Sequence, residues 1–287
     1  MNRLAIVYDR LRWEEKELIK KAEEKAIELV KVDAKEIVLN LNEEKDKIKK
    51  LFGDVILQRC ISYFRGYNLT LFLEGNGLKV INSKKVAEIC GNKLLTTLVL
   101  IKENIPTPKT KVAFAPESAL RALEEIGYPA VLKPITGSWG RMVSPIKDKD
   151  IAETIIEMRE RLANPIDRIY YVQEYVKRPP RDVRSIVVGD ELVTAVYREA
   201  REDEWRTNVA RGAVTKPYPV TQEFEELMIK AAKVVGGGVV GVDAMESPDG
   251  LVIHEVNNTV EFRGAQSVTK RSIAEAIINY ALSLAKR

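Results

Sequence analysis

Histidine is almost missing from this 287-residue chain, and His254 is the only one. Mechanisms built on a histidine dyad or triad are therefore poorly supported. Cysteine is nearly as scarce. Cys60 and Cys90 are too few and too isolated for a disulfide framework or a zinc site, so both are expected as buried thiols. No run approaches the roughly 18 apolar residues of a membrane helix. Asp9, Arg10 and Arg12 close the first apolar stretch before a signal-peptide core can form. A cytoplasmic protein without membrane association is expected. No G-x-G-x-x-G turn follows the first strand, which argues against a nicotinamide dinucleotide. Basic residues are interleaved with acids rather than clustered, so nucleic acid is not an expected partner. Glutamine is scarce beside abundant lysine and glutamate, which fits a thermophilic source.

What is present describes a globular protein: 45% hydrophobic and 31% charged residues, enough for two or three lobes. A net charge of +4 suits an anionic substrate or an acidic protein partner. "LAIVY", "DVILQRC" and "KVINS" alternate with helical patterns, which predicts a parallel α/β lobe over residues 1–82. A linking helical segment is expected over 83–115. Next comes a central α+β lobe over 116–178, holding the strand with Lys133 and the strand "YYVQEYV". The remaining 179–287 contain a hairpin turning at Gly189-Asp190, a helix near Glu223 to Val235, the stretch "VVGVDAMESPDGLVIHEVNN" and a closing helix from Ser272.

Three stretches carry chemistry. In "VLKPITGSWGR" a strand ends at Lys133 and runs into a loop with two glycines. Gly137 and Gly140 let backbone N–H groups turn toward an anion, and Lys133 and Arg141 add charge, which suits polyphosphate. A plain hairpin turn is the competing reading, because the Gly-Lys-Ser/Thr ending of a phosphate loop is missing. In "HEVNN", strand alternation puts Glu255 and Asn257 on one face. With Asp243 on the preceding strand they form a candidate site for a hard cation such as magnesium; a polar strand end at the surface is the alternative. In "RDVR", Asp182 and Arg184 share a face and Arg181 takes the other. Arg198, Arg206, Asn208 and Arg211 follow in "YREAREDEWRTNVARG". Arginines and an asparagine beside a carboxylate site suit phosphates and substrate carboxylates, and a solvated basic loop is the bland reading.

Taken in order, Lys93 in "CGNK", Lys133 in "VLKP", "GSWGR", "QEYV", "RDVR", "NVARG", Asp243 and "EVNN" resemble the ATP-grasp superfamily of carboxylate–amine ligases. Within it the motifs look most like the LysX family and its glutamate-using ArgX relatives. The resemblance implies an N-terminal parallel α/β lobe, a small central α+β lobe and a C-terminal lobe, with ATP between the last two. It implies a ligase that joins the amino group of α-aminoadipate, or of glutamate, to a small acidic carrier protein of the LysW type. The acceptor is the side-chain carboxylate of the carrier's C-terminal glutamate, activated as an acyl phosphate. The implied ATP contacts are Lys93, Lys133, Gly137, Ser138, Trp139, Gly140, Arg141, Gln173, Glu174, Tyr175, Val176, Arg181, Asp182 and Asn208. Arg198, Asn208 and Arg211 take the catalytic roles. Arg184, Arg198, Asn258, Thr259, Gly264 and Ala265 hold substrate, and Asp243, Glu255 and Asn257 hold two magnesium ions. A homo-oligomer is expected. Two alternatives compete: a glutamate ligase acting on a ribosomal-protein terminus or a folate-like cofactor, and an ATP-binding regulatory protein without chemistry.

Two further expectations follow. Asp243 directly opposite Glu255 would put both carboxylates with Asn257 on one face. Counting inward pairs Glu246 with Val252 and leaves a five-residue turn, Ser247 to Leu251; a shorter turn would separate the carboxylates. In the family resembled, the pair after "EVNNTVEF" tracks the amino acid: Asn then Ser or Thr for α-aminoadipate, Gly-Phe for glutamate. Gly264-Ala265 matches neither. The space left beside Ala265 favours the longer α-aminoadipate, with glutamate as a secondary substrate.

Overall fold

The computed structural model describes residues 3–137, 140–200 and 213–285. The chain opens with β1 (Arg3–Tyr8), α1 (Trp13–Glu24), β2 (Glu28–Asp33), α2 (Lys45–Phe52), β3 (Val55–Gln58), α3 (Tyr63–Gly75) and β4 (Lys79–Ile81). These strands form an all-parallel sheet in the order β2-β1-β3-β4. Alternation along β1 divides its side chains between two cores. Ala5 and Val7 pack with Ile48 and Phe52 of α2 and Leu69 and Leu73 of α3. Leu4 and Ile6 face the other way, onto Leu18 and Ala22 of α1. β2 and α2 were not read from the sequence. The charged residues Glu28, Lys31 and Asp33 and a half-exposed burial pattern make β2 a polar edge strand without an apolar run.

α4 (Lys84–Gly91) and α5 (Lys93–Lys102) follow, and Asn92 separates them. Its Oδ1 accepts the N–H groups of Leu94 at 3.0 Å and Leu95 at 3.3 Å, capping α5 and setting Lys93 at the helix start. The central lobe consists of β5 (Thr110–Ala113), α6 (Pro116–Ile126), β6 (Ala130–Lys133), β7 (Ser144–Ile146), α7 (Lys149–Glu160) and β8 (Tyr170–Glu174). Its antiparallel sheet runs β5-β8-β6-β7 over a core of its own. β5 corrects the expectation that residues 83–115 only link. Thr110 to Ala113 pair with Gln173 to Tyr170 and belong to this sheet.

The last lobe is built from β9 (Arg181–Val188), β10 (Glu191–Glu199), β11 (Val214–Pro217), α8 (Gln222–Val235), β12 (Val239–Ser247), β13 (Gly250–Asn257), α9 (Arg263–Gln266) and α10 (Ile273–Ala285). Its antiparallel sheet runs β11-β10-β9-β12-β13. Val183, Val242, Ala244 and Val256 turn one face onto Phe224, Met228, Ala231 and Val235 of α8. α10 joins the first lobe: Ile273, Ile277 and Ala281 share one core with Leu4, Ile6, Val55 and Leu57, and with Ile186, Val188 and Val239 of the last sheet. Asn82 bolts the same junction. Its amide donates to Val239 O and Asn258 O, both at 2.7 Å, and accepts from Val239 N at 2.6 Å.

The expected pairing of Asp243 with Glu255 is present, but the expected turn is not. Ser247 pairs with Gly250 and Glu246 with Leu251, so only Pro248 and Asp249 make the turn. Continued regularly, that register would bring His254 opposite Asp243. A β-bulge at this point inserts one residue in β13 and restores Glu255 to that position.

Candidate active site

Two clefts meet over the charged face of the last sheet. The first lies between the central and last lobes. Lys133 at the end of β6 and Gln173 and Glu174 at the end of β8 face Asp182, Arg198, Asp243 and Glu255 across it. Tyr175 and Val176 follow β8 and line it, Val131, Val143 and Met245 add apolar wall, and Lys93, Gly137, Gly140 and Arg141 close one end. Both glycines have positive φ, +127° and +63°, a conformation L side chains rarely adopt. Lys93 ties this end together. Its backbone N–H donates to Ile135 O at 2.9 Å, and its ammonium lies 2.9 Å from Gly137 O and 3.3 Å from a Glu255 oxygen.

A hydrogen-bonded relay holds Lys133. Its ammonium donates to Gln173 Oε1 at 2.5 Å, and Gln173 Nε2 donates to Thr110 Oγ1 at 3.0 Å and to the Tyr171 hydroxyl at 3.2 Å. That hydroxyl in turn lies 2.7 Å from Thr97 Oγ1 on α5. Gln173, expected to touch ATP, lines the first cleft beside the lysine and, only 2% exposed, orients it. Burial pushes the Lys133 ammonium down to about 8; Glu255 pulls the other way and Lys93 adds to the fall.

The sheet face carries paired charges in cross-strand rows. Arg198 sits opposite Asp182, and Arg184 opposite Asp243. Arg198 forks onto Asp182 at 2.8 and 2.7 Å and reaches Asp243 at 3.1 Å. Arg184 grips both Asp243 oxygens, through NH2 at 2.7 Å and through Nε. Burial alone would raise the Asp243 carboxyl, but Arg184 and Arg198 outweigh it and hold the group far below the carboxylate range. Asn257 joins the cluster, its Nδ2 lying 3.3 Å from Asp243 Oδ2. Next to it, burial first, then Lys133, keeps His254 neutral well below its ordinary value.

Asp243, Glu255 and Asn257 offer hard oxygen donors on one face, which fits magnesium by donor type. Among the described residues no group of three or more His, Cys, Asp or Glu could hold a metal ion. Two carboxylates and an amide leave most of an octahedral shell to other ligands, as when a nucleotide supplies phosphate oxygens.

The second cleft, about 460 Å³, opens between the first and last lobes. Asn257, Asn258, Thr259, Gly264 and Ala265 line one side, with Arg184 and Arg198 at its floor. Trp13, Glu14, Cys60, Tyr63 and Tyr67 line the other. Gly137, Arg198 and Glu255 border both clefts. Cys60 and Cys90 remain free thiols, both pushed up by burial.

The site-residue expectations are distributed unevenly. Arg181 stands apart: its guanidinium pairs with Glu246 at 2.7 Å and lies over the Tyr197 ring, on the face away from Asp182. Ser138, Trp139, Arg206, Asn208 and Arg211 lie outside the described residues. Arg178, which lines the first cleft two residues after "QEYV", was overlooked although it is basic and follows the hinge directly. Arg12, Glu14 and Arg263 were overlooked as well, and no local pattern marks the first two.

Comparison with known proteins agrees with this geometry. Residues 4–89 match the LysX preATP-grasp domain and residues 90–281 the RimK-like ATP-grasp domain. The α-aminoadipate–LysW ligase LysX of Sulfolobus acidocaldarius is 36% identical over 94% of this chain and 97% of its own length. The glutamate–LysW ligase ArgX of the same organism is 38% identical over 97% of each chain. A RimK-domain ATP-grasp protein from Sphaerobacter thermophilus superposes with a TM-score of 0.79 at 28% identity, covering 98% of this chain and 99% of its own.

Proposed function

This chain belongs to the RimK-like ATP-grasp family of ligases, and on that footing we propose that it joins the α-amino group of α-aminoadipate to a small acidic carrier protein of the LysW type. Glutamate is a secondary substrate. The reading places the enzyme in lysine biosynthesis, and through glutamate in arginine biosynthesis. The observation that carries it is the junction of the two clefts at Gly137, Arg198 and Glu255. A nucleotide in the first and an acceptor in the second would meet only there.

ATP-grasp ligases bind ATP and magnesium. In the first cleft the strand end at Glu174 to Val176 and the apolar wall suit adenine, and Lys93, Lys133 and Arg141 suit phosphates. Asp243, Glu255 and Asn257 would hold two magnesium ions, which when bound neutralise the phosphate being transferred. The side-chain carboxylate of the carrier's C-terminal glutamate enters from the second cleft and attacks the γ-phosphorus, and ADP leaves. The amine then attacks the acyl carbon and phosphate departs. Arg184 and Arg198 are fixed by Asp243 and Asp182, so they offer their remaining N–H groups to carboxylate and acyl phosphate without reorganisation. No side chain need form a bond to substrate, which suits a chain with one histidine.

The test is phosphate release from ATP with α-aminoadipate or glutamate, with and without an acidic carrier ending in glutamate. Release should require all three components, and the carrier should gain one amino-acid residue in mass. Release that ignores the carrier, or a carrier of unchanged mass, would refute the proposal.

A further inference from the structure

The second cleft presents four guanidinium groups, Arg12, Arg184, Arg198 and Arg263. Three are committed. Arg12 has Nε and NH2 on Glu15 at 3.0 and 2.9 Å and NH1 on Glu261 at 2.6 Å. Arg184 and Arg198 each place two nitrogens on Asp243 and Asp182. Arg263 is the exception, an exposed side chain with no ion pair or side-chain hydrogen bond among the described residues.

Its backbone, in contrast, is pinned on every side. Glu14, a carboxylate only 6% exposed, accepts the N–H groups of both Phe262 and Arg263 at 3.2 Å. The Phe262 ring is fully buried and meets Trp13 edge-on at 5.6 Å. On the other side, Gly264 O accepts from Thr215 Oγ1 at 3.0 Å and Ser267 Oγ at 2.7 Å. With no partner among the described residues and a firmly held backbone, this exposed cation is available to an external anion at the cleft.

We propose that Arg263 is the specificity residue for the distal carboxylate of the amino-acid substrate, with its posture set by Glu14 from the first lobe. The inference rests on the ligase reading and deepens it. The reacting amine and the α-carboxylate beside it must lie at the junction of the clefts, where Arg198 borders both. Arg263 borders the second cleft but not the first, so it meets the far end of the side chain. Residues 264 and 265 then need supply no polar group of their own.

The experiment compares kcat/KM for α-aminoadipate and for its distal amide, in wild type, Arg263→Ala and Arg263→Lys, with carrier and ATP saturating. Wild type should favour the dicarboxylate. Arg263→Ala should lose about 10- to 100-fold on the dicarboxylate, mainly in KM, and little on the amide. Arg263→Lys should recover part of the loss, and KM for ATP should stay unchanged in both. Glu14→Gln should raise KM for the dicarboxylate in the same direction. An Arg263→Ala enzyme with the wild-type ratio between the two amino acids overturns the inference and leaves the ligase reading standing. A wild type that turns over no acidic amino acid overturns both.

Discussion

Replacing Lys133 with methionine should stabilise the protein and disable it in the same step. The ordinary lysine value of 10.5 falls to about 8 at this site, chiefly through burial. At about 1.4 kcal/mol per pH unit, holding the charged form in the fold costs on the order of 3 kcal/mol. Methionine has similar length and needs no solvation. It strands Gln173 Oε1, which costs about 1 kcal/mol, so a net gain of about 1–2 kcal/mol is expected at pH 7. The sign with pH is fixed by linkage. Between 8 and 10.5 the unfolded lysine holds its proton while the folded one has lost it, so wild-type stability rises with pH across that window. Below pH 8 both states are charged and the full cost is present. The advantage of Lys133→Met should therefore shrink from pH 7 toward pH 10. Urea unfolding of both proteins at the two pH values, without nucleotide, reads this directly. ATP-driven phosphate release by the variant should fall by at least about 100-fold, since one buried cation on the phosphates is gone. A variant less stable than wild type at pH 7, with a gap independent of pH, would refute the reasoning.

Glu255→Gln keeps the volume of a proposed metal ligand and removes its charge. Turnover should drop by about 1,000-fold at any attainable magnesium level; wild-type rates would move the metal site elsewhere. Ala265→Phe should shift preference toward glutamate by about 1–3 kcal/mol in kcat/KM. Because Ala265 is only 5% exposed and packs in the shared core, the variant should also lose about 1–3 kcal/mol of stability. A wild type strictly selective for glutamate would end the volume argument. The chain carries +4, so its association rate with an acidic carrier should fall as salt rises. Stopped-flow rates that stay flat between low and high salt would count against electrostatic docking.

Alternation and motif order were enough to reveal much of this protein. The hairpin at Gly189-Asp190, the shared face of Asp182 and Arg184, and the apolar backs of the same strands follow from a period of two, a local property of the chain. The same alternation set Arg181 apart from Asp182, and the structure pairs it with Glu246 on the far face; its ATP role had come from the motif alone. Tertiary structure decided what no local pattern encodes. β5 joins the central sheet because its partner, β8, lies some sixty residues ahead. The bulge beside His254 brings Glu255 opposite Asp243, although a two-residue turn by itself would misalign them. α10 completes the core of the first lobe from the other end of the chain. Glu14 holds the backbone of Arg263 across 249 positions. Hydrogen-bond partners and shared cores depend on which surfaces meet when the lobes pack. A sequence read in windows of ten residues carries the chemistry of each surface, and only packing determines which surfaces come together.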